Sequence, residues 1–166
     1  MSRFLVAACS VAFLAPTLAL GQDTGVRNWT FGYLQGFAEH TIREDRDSLF
    51  RITCDVSASD KAAETKYGLL IGIDIEIHGR EPPENGTVLI SIDDKKFKFS
   101  TDESRAIGTL DHIAQSRYYA MWKAMIKGRA MRVTFSDGRS SPFSLSGARK
   151  VLGPNPCEAA VLESPL

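Results

Sequence analysis

The sequence predicts an α+β fold that is mainly β: an antiparallel sheet, curved or folded into a sandwich, with one amphipathic helix packed on it. The strongest indication is the stretch 67–79, YGLLIGIDIEIHG, in which aliphatic residues alternate as they do in a half-buried strand. Two later stretches repeat this period on both sides of a turn, which is typical of β-hairpins. Between them, residues 101–128 change to the period of a helix.

Residues 1–21 have the organisation of a secretory signal peptide. Arg3 supplies the positive start, residues 4–14 form an uncharged apolar run, and Pro16 precedes a small-residue cleavage site. A membrane anchor is the alternative, but a run interrupted by Pro16 is short for a span of ~20 residues. Cys9 resembles the acylated cysteine of bacterial lipoproteins, although most of the apolar run follows it. We therefore expect an exported protein that is periplasmic or secreted.

Residues 22–166 are expected to form a single exported domain, because they show no repeat, no low-complexity segment and no shift in composition. The whole chain has 20 Lys and Arg against 20 Asp and Glu. Signal cleavage removes only Arg3 from this balance, so the mature domain has a small negative net charge. Nucleic acid is not expected as a partner, because it needs an excess of positive charge on one face. No transmembrane segment is expected after signal cleavage.

Cys54 and Cys157 remain after the signal peptide is removed. In an oxidising compartment an even pair of cysteines is expected to form a disulfide. Two unpaired buried thiols are the alternative. A catalytic thiol is less favoured, because neither cysteine has a histidine or a CxxC partner nearby in sequence that would lower its pKa.

The first strand is predicted over residues 29–41, with a bend or bulge at Gly36. Trp29, Phe31 and Tyr33 alternate along it, so their rings are expected on one face. Such a row of aromatic rings could stack on sugars or could pack into the core. The sequence leaves both readings open.

The stretch 67–79 is the predicted central strand. Asp74, Glu76 and His78 share its outer face, where they could converge on a cation or take part in proton transfer. Neighbours on one face are roughly 7 Å apart, so the three reach one metal ion only if the strand bends. The alternative is a solvated sheet face. The inner face is aliphatic and carries Leu69, Ile71, Ile73, Ile75 and Ile77.

Other strands are predicted before and after the central one. Residues 49–55 form a strand before it, whereas the prolines in residues 80–86 prevent a regular ladder after it. Residues 88–99 are predicted to form a hairpin with an exposed tip. Residues 131–145 form a second hairpin, which turns at Asp137-Gly138.

The predicted amphipathic helix lies within residues 101–128. Gly128 stands where a C-terminal cap is expected. We expect the apolar stripe of this helix to pack on the sheet, with docking of a partner helix as the alternative. The stripe consists of Ala114, Tyr118, Met121, Trp122 and Met125.

The C-terminal part of the chain resembles the tail of the invasion-associated locus B family of small exported alphaproteobacterial proteins. The resemblance lies in Lys127-Gly128 at the end of a helix, the strand 131–135, the returning segment 143–148 and the apolar pair Val151-Leu152. It implies a periplasmic or envelope-associated β-rich protein without known catalytic residues.

The sequence contains no Gly-x-Ser-x-Gly, His-Glu-x-x-His, P-loop or dinucleotide-binding motif. We therefore predict a non-enzymatic binding or envelope-interaction protein, with no cofactor or metal and with an unidentified protein or envelope component as its partner. An inhibitor or immunity factor against a periplasmic hydrolase or toxin is the alternative, followed by a small hydrolase. A partner is expected to use one of three surfaces: a sheet edge, the aromatic strand with Trp29, Phe31 and Tyr33, or the face that carries Asp74, Glu76 and His78.

Overall fold

Two four-stranded antiparallel sheets form the framework of the described structure. The computed structural model describes residues 27–55, 71–107, 112–154 and 156. The predicted signal peptide, residues 1–21, lies outside these ranges and stays a prediction. The predicted fold class is confirmed, since antiparallel strands predominate and helices are few.

The first sheet follows the order of the chain. Its strands are β1 (Thr30–Leu34), β2 (Phe37–Arg43), β3 (Leu49–Asp55) and β4 (Ile71–Glu76). The alternation predicted for the stretch 67–79 is confirmed in its described part, where the side chains at positions 73, 75 and 77 are buried. Its predicted central position was wrong, because β4 lies at the end of the first sheet among the described strands. The inner face of the sheet includes Ala38, Ile42, Phe50, Ile52, Ile73 and Ile75.

A tight turn divides the segment that was predicted as one strand over residues 29–41. Gln35 and Gly36 both have positive φ angles, 51° and 86°. Positive φ at both central residues is the requirement of a type I′ turn, which joins two antiparallel strands through two residues. The prediction of a single bent strand was therefore wrong, and β1 and β2 form a hairpin in which Thr30 pairs with Thr41.

The second sheet has the order β6-β5-β7-β8. Its strands are β5 (Thr87–Ile92), β6 (Lys95–Ser100), β7 (Ala130–Phe135) and β8 (Ser140–Ser144). Both predicted hairpins are confirmed, and Gly138 turns the second of them with a φ angle of 90°. The buried residues of the second sheet include Val88, Ile90, Phe99, Met131, Val133 and Phe143.

The main helix, α1, spans His112–Met125, and a short helix, α2, spans Ala148–Leu152. The main helix lies within the predicted segment 101–128, and the first part of that segment is not helical where it is described, since Thr101 pairs with Ile107 in an isolated bridge. The helix also ends before Gly128. Neither described helix is long and apolar enough to cross a membrane.

The two sheets and α1 share one apolar core. The rings of Phe50 and Phe143, from different sheets, have centroids 6.0 Å apart. On the helix, Tyr118 and Trp122 are fully buried together with the methionines of the predicted stripe. The stripe of α1 therefore packs into the core, as expected from its spacing.

Candidate functional site

A charged cleft lies where the loop after β4 meets the turn after β6 and the turn between β7 and β8. The cleft has a volume of about 700 Å³. One glycine and two prolines line the cleft, and its other lining residues are charged. Its lining residues are Glu76, Gly79, Arg80, Glu81, Pro82, Pro83, Glu84, Arg105, Asp137 and Arg139.

Thr101 fixes the proline-containing loop that forms one wall of the cleft. Its buried hydroxyl donates a hydrogen bond to the Pro83 carbonyl at 2.6 Å and accepts one from the Gly86 amide at 2.8 Å. A Cβ on Gly86 would lie 2.8 Å from the Ser136 hydroxyl, which accepts a hydrogen bond from Thr87. Pro82 and Pro83 have no backbone N–H and cannot donate the hydrogen bonds of a β-ladder. The side chains of Thr101 and Ser136 hold the loop in place instead.

Arg139 attaches the same loop to the second sheet. Its guanidinium donates hydrogen bonds to the carbonyls of Arg80 at 3.0 Å and Glu81 at 2.8 Å. It also forms an ion pair with Asp137 at 2.6 Å and lies 5.0 Å from the centre of the Phe135 ring. The hydrogen bond from Arg139 is the main reason why the pKa of the Asp137 carboxyl lies below its ordinary value.

Arg105 is shared by two carboxylates on the opposite side of the cleft. It lies 3.3 Å from Glu81 and 2.7 Å from Glu84. The turn that presents it is held by Asp102, whose carboxylate accepts hydrogen bonds from the backbone and hydroxyl of Ser104. The hydroxyl bond is the largest cause of the lowered pKa of Asp102. Because Arg105 carries a single positive charge, it neutralises only one of its two neighbouring carboxylates, Glu81 and Glu84.

A narrower groove of about 150 Å³ runs beside β4 and shares part of its lining with the charged cleft. Asp74 lies in this groove and pairs with Arg51 of β3 at 3.0 Å. Glu76 lines both cavities. Two residues of the predicted acidic face, Asp74 and Glu76, therefore line these cavities, which the sequence did not predict.

His78 does not share the outer face of β4 with Asp74 and Glu76, as had been expected. It follows the end of the strand with a φ angle of 54°, and Gly79 continues the turn with a φ angle of 68°. The assumption of one extended strand was therefore wrong at this position. No group of three possible ligands able to hold a metal ion occurs in the described part of the chain.

The predicted aromatic surface lies at the other edge of the first sheet. Three strand spacings of ~4.8 Å separate β1 from β4, or about 14 Å. Trp29 is buried and donates a hydrogen bond to the Ser144 carbonyl at 2.9 Å, whereas Tyr33 is 52% exposed and Phe31 is half-buried. Trp29 therefore belongs to the core, and the two alternative surfaces, the aromatic strand and the face with Asp74 and Glu76, lie at opposite edges of the first sheet.

Cys54 is fully buried in β3. Its predicted partner, Cys157, lies outside the described residues. The disulfide between them stays a prediction.

Two buried polar side chains, His40 of β2 and Tyr118 of α1, both contact the ring of Trp122. His40 is 1% exposed, with its ring 5.2 Å from that of Phe31 and 5.4 Å from that of Trp122. Burial lowers the pKa of His40 to about 4, and a hydrogen bond with the Val151 backbone partly opposes this effect. The Nδ1 atom of His40 and the hydroxyl of Tyr118 have no hydrogen-bond partner among the described residues.

The arginines of the charged cleft were not predicted as site residues. They come from segments far apart in the chain, and Arg139 binds backbone carbonyls, which no sequence motif reveals. A partial signal exists in the proline-rich loop, since a loop without its own donors needs side chains to hold it.

Comparison with known proteins corrects the family assignment. The family model that matches the chain is described as YfjT, and the match spans residues 27–152. This range contains the helix–turn–strand segment that suggested the invasion-associated locus B family, so that assignment was wrong. The segment consists of common turn and helix-end patterns that unrelated folds share. No curated protein and no solved structure matches the chain. The match covers most of the sequence, and the chain therefore belongs to the YfjT family.

Proposed function

We propose that this protein is a non-enzymatic binding protein of the periplasm or cell envelope, or a secreted one, and that the charged cleft is its binding site. The observation that carries this proposal is the cleft itself, at about 700 Å³. Ligand sites in proteins typically measure roughly 300–1,000 Å³. The cleft is large enough to take several groups of a partner at once.

The wall of the cleft is held in place before any partner arrives. Thr101 and Arg139 attach the loop to both neighbouring elements through hydrogen bonds of 2.6 to 3.0 Å. A binding surface that is already ordered loses less conformational entropy on association. This rigidity supports a recognition role for the loop.

The charged groups of the cleft divide into two sets. The first set is engaged in ion pairs that hold the cleft together: Arg105 with Glu81 and Glu84, and Arg139 with Asp137. Arg80 is exposed and Glu76 is half-buried, and neither forms an ion pair within the described ranges. Arg80 and Glu76 are the groups that a partner would contact.

The test is retention of a partner from periplasmic and envelope extract on immobilised, oxidised protein comprising residues 22–166. We expect Arg80→Gln and Glu76→Gln to reduce the retained partner, while Lys96→Gln, a change on the exposed hairpin tip, leaves it unchanged. A partner retained equally by all four proteins would mean that the cleft is not the binding site. Appearance of the intact, uncleaved chain in the cytoplasmic fraction of its host would contradict export.

An inhibitor or immunity factor is the second candidate, and the rigid loop favours it. Pro82 and Pro83 restrict the backbone, and Arg139 binds the carbonyls beside them. A rigid exposed loop is the usual way in which an inhibitor occupies a hydrolase. The retained partner would then be a hydrolase whose activity falls when the protein is added. Unchanged activity of that hydrolase would exclude inhibition.

A further inference from the structure

The outer edge of β4 is open in the described structure. The order of the first sheet places β4 at its end, and no described strand pairs with its second edge. The narrow groove runs along that edge, because four consecutive residues of β4 line it, from Ile73 to Glu76. The side chains of Ile73 and Ile75 point into the core, whereas that of Asp74 points outward. Because residues from both faces line the groove, it is the backbone edge of the strand that borders it.

The opposite wall of this groove is formed by the loop after β4 and the turn after β6, which also line the charged cleft. Glu81 and Pro82 contribute from the loop, and the segment 104–106 contributes from the turn. The groove opens into the larger cleft, with which it shares Glu76, Glu81, Pro82 and Arg105. Together they form a channel with a strand edge on one side and a fixed wall on the other.

Negative charge is in excess along this channel. Glu76 forms no ion pair within the described residues, and Arg105 is divided between Glu81 and Glu84. Arg51 is likewise divided, with Asp74 at 3.0 Å and Glu39 at 4.0 Å. The groove is lined by three carboxylates, Asp74, Glu76 and Glu81, against two arginines, Arg51 and Arg105. The adjoining cleft adds two charges of each sign, so the excess over the whole channel is one negative charge. A ligand that enters here meets less repulsion if it is cationic.

We propose that the β4 edge takes an extended basic segment of a protein partner, which adds to the first sheet as a further strand and directs a lysine or arginine to Glu76. This inference rests on the proposed binding function of the cleft. Backbone hydrogen bonds to the open edge provide affinity, and alternate side chains in the channel provide specificity. An edge strand left unpaired otherwise exposes its N–H and C=O groups.

The test uses three synthetic hexapeptides, acetylated and amidated, whose length matches the six residues of β4. The first alternates lysine with valine, the second alternates glutamate with valine, and the third is the lysine peptide with N-methylated valines. We expect calorimetry to show binding of the lysine peptide, with about tenfold weaker binding of the other two. Amide hydrogen exchange in β4 should slow only with the lysine peptide.

Glu76→Gln tests the charge contact in the full protein. We expect about threefold weaker binding of the lysine peptide, because a partly exposed ion pair contributes modestly. Glu103→Gln removes an exposed carboxylate of the turn after β6 that lines neither cavity, and should leave binding unchanged. Equal loss in both variants would indicate a general charge effect and would overturn the assignment to Glu76.

Equal binding of the N-methylated peptide would overturn strand addition, and equal binding of the glutamate peptide would overturn the basic specificity. A concentration-dependent dimer that the lysine peptide cannot dissociate would show that a second copy occupies the edge, which also overturns the inference. If no peptide binds but Arg80→Gln still abolishes retention of an envelope partner, this inference fails while the proposed function stands. If both experiments fail, the proposed function fails too.

Discussion

Acid should destabilise this protein through the buried imidazole of His40. The pKa of His40 in the folded protein is about 4, below its ordinary value of 6.5, because burial disfavours the charged ring. As the pH falls, the unfolded chain therefore takes up this proton first. The stability that neutral His40 provides is complete above pH 6.5 and is lost as the pH falls towards 4.

The magnitude follows from the difference between the two pKa values. A difference of about 2.5, at about 1.4 kcal/mol for each pH unit, corresponds to about 3 kcal/mol when the pH is well below 4. At pH 5 most of this change has already occurred, and the expected loss is about 2 kcal/mol. That is a large part of the stability of an ordinary domain.

Urea unfolding near pH 7.5 and near pH 5 measures this loss. Between the two, wild type should lose about 2 kcal/mol more than His40→Gln or His40→Phe, neither of which titrates at that position. His78→Gln removes an exposed imidazole and should behave like wild type. Equal losses in wild type and both His40 variants would refute the reasoning, whatever the absolute stability of the variants.

Three further changes test the packing of the fold and the cleft. Gly128→Ala should destabilise the protein by about 1–3 kcal/mol in urea unfolding, because its Cβ would lie 2.6 Å from a methyl group of the core; Gly32→Ala, where nothing lies within 4 Å, is the control. Arg139→Met should cost about 1–3 kcal/mol and weaken partner retention, since carbonyls of the cleft loop lose their donor, while Arg149→Met at an exposed site should do neither. Cys54→Ser should lower thermal stability and leave one reactive thiol in the denatured mature protein where wild type has none, if the predicted disulfide forms.

Each of these predictions has a contradicting result. A neutral Gly128→Ala variant would mean that the neighbouring side chains move without cost. Retention by Arg139→Met at the wild-type level would separate the loop from binding. Two free thiols in denatured, unreduced wild type would exclude the disulfide.

The strands were predictable where burial alternates with period two. Ile73, Ile75 and Ile77 could be assigned to the core because each is separated from the next by one polar or small residue. The same rule fails at Gln35, since glutamine rarely adopts a positive φ angle and gives no warning of a turn. It also missed His40, although Ala38 and Ile42 share its face of β2 and are both buried.

The cleft could not be predicted because its parts meet only after the two sheets are assembled. Arg139 binds carbonyls of Arg80 and Glu81, which lie 59 and 58 residues earlier in the chain. The acceptors are backbone atoms, so no pairing of residue types marks the contact. Asp74 and Glu76 could be assigned to the outer face of their strand because they alternate with buried residues, which is a local signal.

The order of the strands affects the order in which the two sheets can fold. The first sheet is complete when residue 76 has been made, because its neighbours in space are also neighbours along the chain. The second sheet, which covers its apolar face, comes entirely from residues 87–144. A chain that folds as it is synthesised would expose the apolar face of the first sheet until the second sheet covers it, which is the situation in which nascent chains aggregate or recruit chaperones. Substitutions in β7 or β8 that slow their arrival should reduce the yield of soluble protein more than they change its melting temperature.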